Sequence, residues 1–265
     1  MKSVNILDKI VKDKLIEVEA KKKLFPLSFL VTSPLMERDT YSMSKSIAEV
    51  SGIITEFKRR SPSRQVINQT NGITEVVSAY QKAKASGVSV LTDTKYFGGA
   101  LDDLIQARSA LTIPVLRKEF IVDPYQIYEA KGFGADTILL IAAILTSEEI
   151  ILLSQLAFQL GLEVLLEIHN QEELEKSELS NIQMVGVNNR NLKTFEVSLD
   201  TSKELSKLIP EDKIKISESG ISSVDAIKSL KEYGYKGFLI GENFMKTSDP
   251  GAAALKFVKE LENEG

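Results

Sequence analysis

From residue 52 onward, short runs of β-branched and aliphatic residues alternate with longer stretches whose apolar positions recur every three or four residues. Eight short runs stand out: Gly52–Lys58, Val88–Thr92, Val115–Lys118, Thr137–Ile141, Glu163–Ile168, Met184–Asn188, Lys213–Ser217 and Gly237–Ile240. The stretches between them carry helix-end signals. Ile73–Ser86 has apolar residues at 73, 76, 77, 80 and 83, with Gly87 as its stop. Asp123 and Pro124 offer an N-cap and a first-turn proline for a segment ending near Gly132 and Gly134. Thr146-Ser147-Glu148-Glu149 reads as a capping box ahead of a helix that closes at Gly161. Asp249-Pro250 opens the last helix, which runs to the C-terminus.

Parallel strands need long crossovers, usually helices, so this alternation predicts an α/β fold with a parallel sheet. Eight repeats in roughly 200 residues fit a closed (β/α)8 barrel, the TIM-barrel architecture. A doubly wound open sheet is disfavoured, because no G-x-G-x-x-G follows the first run. Residues 1–50 do not fit the repeat. Ile6–Leu24 has Leu, Ile and Val at helical spacing, and Pro26 follows its end. The expectation is a single domain: a barrel over 51–265 carrying an N-terminal helical extension packed on one of its ends. Periodicity does not separate a plug under the barrel from a lid over its mouth.

Composition narrows the chemistry. The 265 residues include no Cys, which excludes disulfides, thiolate nucleophiles and Cys-ligated metals. One His argues against a His-based zinc site or a Ser-His-Asp triad, so acid–base work falls to Lys, Glu and Asp. A net charge of −4 provides no global field for DNA or RNA. The opening segment MKSVNILDKIVKDK mixes charged with apolar residues and lacks a signal-peptide core, and the longest apolar run, Ile138–Leu145, is too short to span a bilayer. A cytoplasmic, soluble monomer without nucleic-acid or membrane partners is expected.

In barrels of this kind the C-terminal strand ends build the site. In ITEFKRRSPS, Glu56 and Lys58 stand two residues apart, so they share one face of a strand. The third run ends with Lys118, the fifth with Glu167, the sixth at Asn188 with Arg190 nearby, and the seventh at Ser217, Glu218 and Ser219. Charged groups from separate strands would thus converge on one mouth. His169, just beyond Glu167, is expected to point away from it and receives no catalytic role. The loops after the last two runs read SESGI and IGENFM. Gly220 and Gly241 would allow close backbone approach to a phosphate there, and Glu242–Met245 would form a short helix. The Glu242 side chain must then turn away. Phe97 and Phe120 flank the cluster and suit a flat aromatic group.

These residues resemble the indole-3-glycerol phosphate synthase family. The matches are IITEFKRRSPS, SVLTDTKYFGG, VLRKEFIVDPYQIYEAKGFGADTILLIAAIL, LEVLLEIHNQEEL, VGVNNRNLKTFEV and ISESGI, in order over nearly the whole chain. The resemblance implies a carboxy-lyase of tryptophan biosynthesis, without cofactor or metal. Its substrate is 1-(2-carboxyphenylamino)-1-deoxyribulose 5-phosphate, which is closed to indole-3-glycerol phosphate with loss of CO2 and water. Lys118 would protonate the carbonyl as the ring closes; Lys58 or Glu167 would serve as the second acid, with Glu56 as base. Neighbouring ammonium groups are expected to lower each other's pKa. Asn188 and Ser219 match the family's polar contacts, Ser61 lies in the SPS turn, and Arg190 is placed to fork onto a carboxylate. Glu218, Gly220, Gly241 and Glu242 join the substrate-binding set. Asn191, Gln65 and Asn243 depart from the commoner Asp, Gly and Ser, and the last puts one side-chain phosphate contact in doubt. Phosphoribosylanthranilate isomerase chemistry would favour a Cys/Asp pair, and a tryptophan synthase α-like lyase does not fit the two lysines. A non-catalytic phosphosugar-binding barrel is the rival from another class.

Overall fold

The computed structural model describes residues 6–192 and 194–263. Five residues of the opening segment, Lys193 in the VGVNNRNLKTFEV match and the last two residues of the chain lie outside that range. Eight parallel strands close a barrel in chain order: β1 (Ile53–Phe57), β2 (Gly87–Leu91), β3 (Val115–Lys118), β4 (Thr137–Ile141), β5 (Glu163–Ile168), β6 (Met184–Asn188), β7 (Ile214–Glu218) and β8 (Tyr235–Ile240). Four strands fall where the pattern predicts them, and the others are displaced by one or two residues. The helices are α1 (Ile6–Leu24), α2 (Leu27–Leu30), α3 (Met43–Glu49), α4 (Ile73–Lys82), α5 (Thr94–Phe97), α6 (Leu101–Ala110) and α7 (Tyr125–Gly132). They continue with α8 (Ser147–Gln159), α9 (Gln171–Glu175), α10 (Asp200–Leu205), α11 (Val224–Lys231), α12 (Glu242–Met245) and α13 (Pro250–Asn263). Among the described residues no helix is long and apolar enough to cross a membrane.

Local signals act largely as read. Thr146 and Glu149 form the capping box of α8, and the Asp123 and Asp249 carboxylates accept the Tyr125 and Ala252 N–H groups at the starts of α7 and α13. One stop signal is corrected. Helix α4 ends at Lys82, and the chain turns at Lys84 with φ +61, ahead of Gly87. Gly87 instead opens β2, where a Cβ would lie 2.3 Å from Met43 Sδ. Its missing side chain makes room for α3 beneath the barrel.

Period-two alternation puts the site where it is. Ile54, Leu116, Leu165, Ile216 and Leu239 fill the barrel interior. Two residues further along the same strand faces stand Glu56, Lys118, Glu167, Glu218 and Gly241. The extension serves both ends. Met43 and Ile47 of α3 join the interior from below, while Leu7 and Ile10 of α1 join it from the mouth. Ser42 and Ser44 bind Glu163 at the start of β5, and Ser46 Oγ donates to Ser86 O.

Candidate active site

The fourteen residues expected to form the catalytic and substrate-binding sets line one cavity of about 440 Å³ at the C-terminal end of the barrel. On one wall, Lys118 Nζ lies 3.2 Å from Glu167 Oε2 and is also bonded by Glu218 Oε2. Lys58 Nζ pairs with Glu56 Oε1 at 2.7 Å. Asn188 Nδ2 donates to Glu167 Oε1 at 3.2 Å, and its own Oδ1 accepts the Arg190 N–H.

Two glycines seat the carboxylates. A Cβ on Gly186 would lie 2.4 Å from Glu218 Oε1, and one on Gly241 would lie 2.5 Å from Glu56 Oε1. Gly241 therefore makes room first for a carboxylate. Ser219 and Gly220 both adopt left-handed backbone, φ +67 and +78, and a Cβ on Gly220 would strike Val197. A serine held there is strained backbone of the kind that gathers at functional sites. Ser217, in contrast, faces outward, between Asn189 Nδ2 and Ser202 Oγ, because it alternates with Glu218. Glu242 has turned away as required: Arg64 Nη1 holds its Oε1 at 2.8 Å. Arg190 lines the cavity and spends one donor on Phe195 O.

The expected mutual lowering of the lysines is corrected for Lys118. Burial works against its charge, but the carboxylates of Glu218, Glu167 and Glu56 outweigh burial and raise its pKa. Burial would raise Glu167, yet Lys118, His169 and the Asn188 amide hold it below the ordinary value. Glu218 is pushed up to about 7, by burial first and by Glu167 and Glu56 next, against the pull of Lys118. The expected orientation of His169 is also corrected. Being two residues from Glu167, it lies on the same side of the pleat, with Nε2 3.5 Å from Glu167 Oε1.

The opposite wall is apolar and partly unforeseen. Phe97 and Phe120 pack with ring centroids 6.0 Å apart, as the sequence suggested. Ile6, Leu7 and Ile10 of α1, with Leu192 and Phe195 from the loop after β6, complete it. One buried side chain ties this wall together. Lys14 Nζ reaches Asp93 Oδ2 at 2.9 Å and Glu119 Oε1 at 3.1 Å. Asp93 caps α5 by accepting the Tyr96 and Phe97 N–H groups, and Glu119 accepts the Phe120 N–H. The lysine was readable as one charge in the buried face Leu7, Ile10, Lys14, Val18.

Fold and site together define a (β/α)8 barrel with a cluster of paired lysines and carboxylates at its mouth. The indole-3-glycerol phosphate synthase family model matches residues 7–258. Curated relatives bear the same name. The protein of Bacteroides thetaiotaomicron is 45% identical over 97% of this chain and 99% of its own length, and that of Caldanaerobacter subterraneus subsp. tengcongensis is 41% identical over 97% and 98%. The chain therefore belongs to the indole-3-glycerol phosphate synthase family. Among solved structures, 3-hexulose-6-phosphate synthase from Salmonella typhimurium superposes with a TM-score of 0.64 at 12% identity, covering 80% of this chain and 99% of that one. At that identity the likeness concerns the fold alone.

Proposed function

We propose that this chain is an indole-3-glycerol phosphate synthase, converting 1-(2-carboxyphenylamino)-1-deoxyribulose 5-phosphate to indole-3-glycerol phosphate, CO2 and water. Beyond family membership, the observation that carries the reading is Lys118, an ammonium held between two carboxylates at the centre of a cavity with an aromatic wall.

The aryl ring packs against Phe97 and Phe120, and the phosphate lies toward Gly220 and Gly241. Arg190 faces the substrate carboxylate. The ring carbon bearing that carboxylate attacks the carbonyl carbon, and Lys118 delivers a proton to the carbonyl oxygen as charge develops there. The C–CO2 bond then breaks, its electrons restoring aromaticity. In the last step the hydroxyl leaves as water. Lys58 and Glu56, already in contact, form the acid and base for it, while Glu167, held anionic, orients Lys118. Every group invoked belongs to one cavity of one chain, so a monomer suffices, and the cytoplasm is the proposed compartment.

The test is appearance of indole fluorescence from purified protein and substrate, without added metal, beside Lys118→Ala. Wild-type turnover is expected, with a loss of about 10³-fold or more in the variant. Turnover by both proteins would move the first protonation to another group. Substrate binding without product in either would instead leave a phosphosugar-binding barrel.

A further inference from the structure

His169 is the chain's single histidine, and the mechanism above gives it no task. Its surroundings are unlike those of a packing residue. Nδ1 lies 3.2 Å from Glu173 Oε2 of α9, and the same carboxylate oxygen accepts the His169 backbone N–H at 2.8 Å. A carboxylate only accepts, so a neutral imidazole here carries its hydrogen on Nδ1 and turns a lone pair at Nε2 toward solvent or neighbours. What Nε2 meets is Glu167 Oε1, at 3.5 Å, and Nε2 is buried with no hydrogen-bond partner. Lone pair therefore faces lone pair unless a second proton sits on Nε2. Adding that proton turns the contact into an attraction.

The titratable groups facing the ring come from three elements: Glu167 on β5, Glu173 on α9 and Glu218 on β7, all of which favour the cation. Burial opposes them as the largest single influence, and together they prevail, raising the imidazole above its ordinary value. Beyond Glu167 the line continues to Lys118. One oxygen of Glu167 thus faces His169 and the Asn188 amide, and the other faces the proton donor.

We propose that His169, as a cation, is a positioning residue: it fixes the Glu167 carboxylate so that its second oxygen holds Lys118 in line for proton delivery. Its ring contacts a carboxylate and never the reacting atoms. This proposal rests on the catalytic reading of Lys118, and it predicts a link between the charge on a ring outside the reacting set and the rate of ring closure.

A single histidine makes the direct test unambiguous, because the imidazole resonances in an NMR pH titration of the full chain belong to His169 alone. Wild type is expected to titrate above a free imidazole, and Glu167→Gln to bring the midpoint down by roughly one pH unit. An unchanged midpoint would overturn the coupling. Should Glu167→Gln fold poorly, Glu173→Gln tests the other partner of the ring; it too is expected to lower the midpoint, and no change there would overturn the assigned contacts. The kinetic arm follows the indole signal against pH for wild type and His169→Gln. Wild-type kcat should fall as pH rises through the measured midpoint, and that limb should be missing in a variant whose kcat is lower by about three- to tenfold on the acid side with KM little changed. The same limb in both proteins would assign it to another group and overturn the positioning role. If the chain turns over no substrate, the enzymatic reading fails, while the titration still decides whether His169 and Glu167 are coupled.

Discussion

The two walls of the cavity are built by different means. The charged wall stands on the ends of hydrogen-bonded strands: Glu56, Lys118, Glu167 and Glu218 each occupy the next inward position above an apolar interior residue. Their placement follows from sheet register, which a one-residue slip would destroy. The apolar wall has no such frame. It gathers a helix outside the barrel, a four-residue helix after β2 and a loop after β6, and Lys14 holds two of its supports together through Asp93 and Glu119. Rigid scaffold fixes the groups proposed to move protons, while a buried ion cluster holds the surface proposed to pack against the substrate.

The largest effect is expected on the charged wall. Glu56→Gln should lower kcat by about 10²–10⁴-fold with KM nearly constant, read from initial rates of indole formation. A kcat close to wild type would remove Glu56 from the proton-transfer set. On the other wall, Lys14→Met removes the ammonium shared by two buried carboxylates. Denaturant unfolding should show a loss of about 3–5 kcal/mol, and KM should rise far more than kcat falls. Equal losses in both constants would erase the distinction between the walls.

A third effect is electrostatic. The folded-state pKa of Glu218, about 7, lies above its ordinary 4.5, so the native state binds this proton more tightly than the unfolded chain does. The stability it contributes is complete below pH 4.5 and is lost as pH rises through 7. Glu218→Gln cannot ionise, so its stability relative to wild type should improve by on the order of 3 kcal/mol from acid to mildly alkaline pH, measured by denaturation across that range. A pH-independent difference would mean that Glu218 is ionised throughout. Smaller still, Phe97→Ala should raise KM about two- to tenfold through loss of the ring pair. Arg64→Gln removes an exposed ion pair and should change stability by less than about 1 kcal/mol, in a thermal melt compared at low and high salt.

The same contrast explains what the sequence disclosed. Glu56, Lys58, Lys118, Glu167, Asn188 and Glu218 were legible because strand ends and period-two alternation announce themselves locally. Ile6, Leu7 and Ile10 were not placed at the mouth, because nothing local says which end of the barrel α1 overlies. That depends on Asp93 and Glu119, whose carboxylates meet Lys14 only in the folded chain. His169 was misread through its apparent adjacency to Glu167, when the two-residue step puts both on one face. The glycines at 87 and 241 were visible as glycines, but what each makes room for, a methionine sulfur and a carboxylate, is tertiary information.

Consider last the bond between Ser44 N and Glu163 Oε2, spanning 119 positions. A ribosome adding about 5–20 residues per second completes the start of α3 roughly 6–24 s before this particular contact can form. Other contacts form sooner, since Ser46 meets Ser86 after 40 further residues and Phe25 O meets Tyr125 after 100, while β1 waits longer still for β8 to close the ring. The helices ahead of β1 are thus secured in stages as synthesis proceeds, with the Glu163 contact to α3 among the later ones and closure of the ring the last.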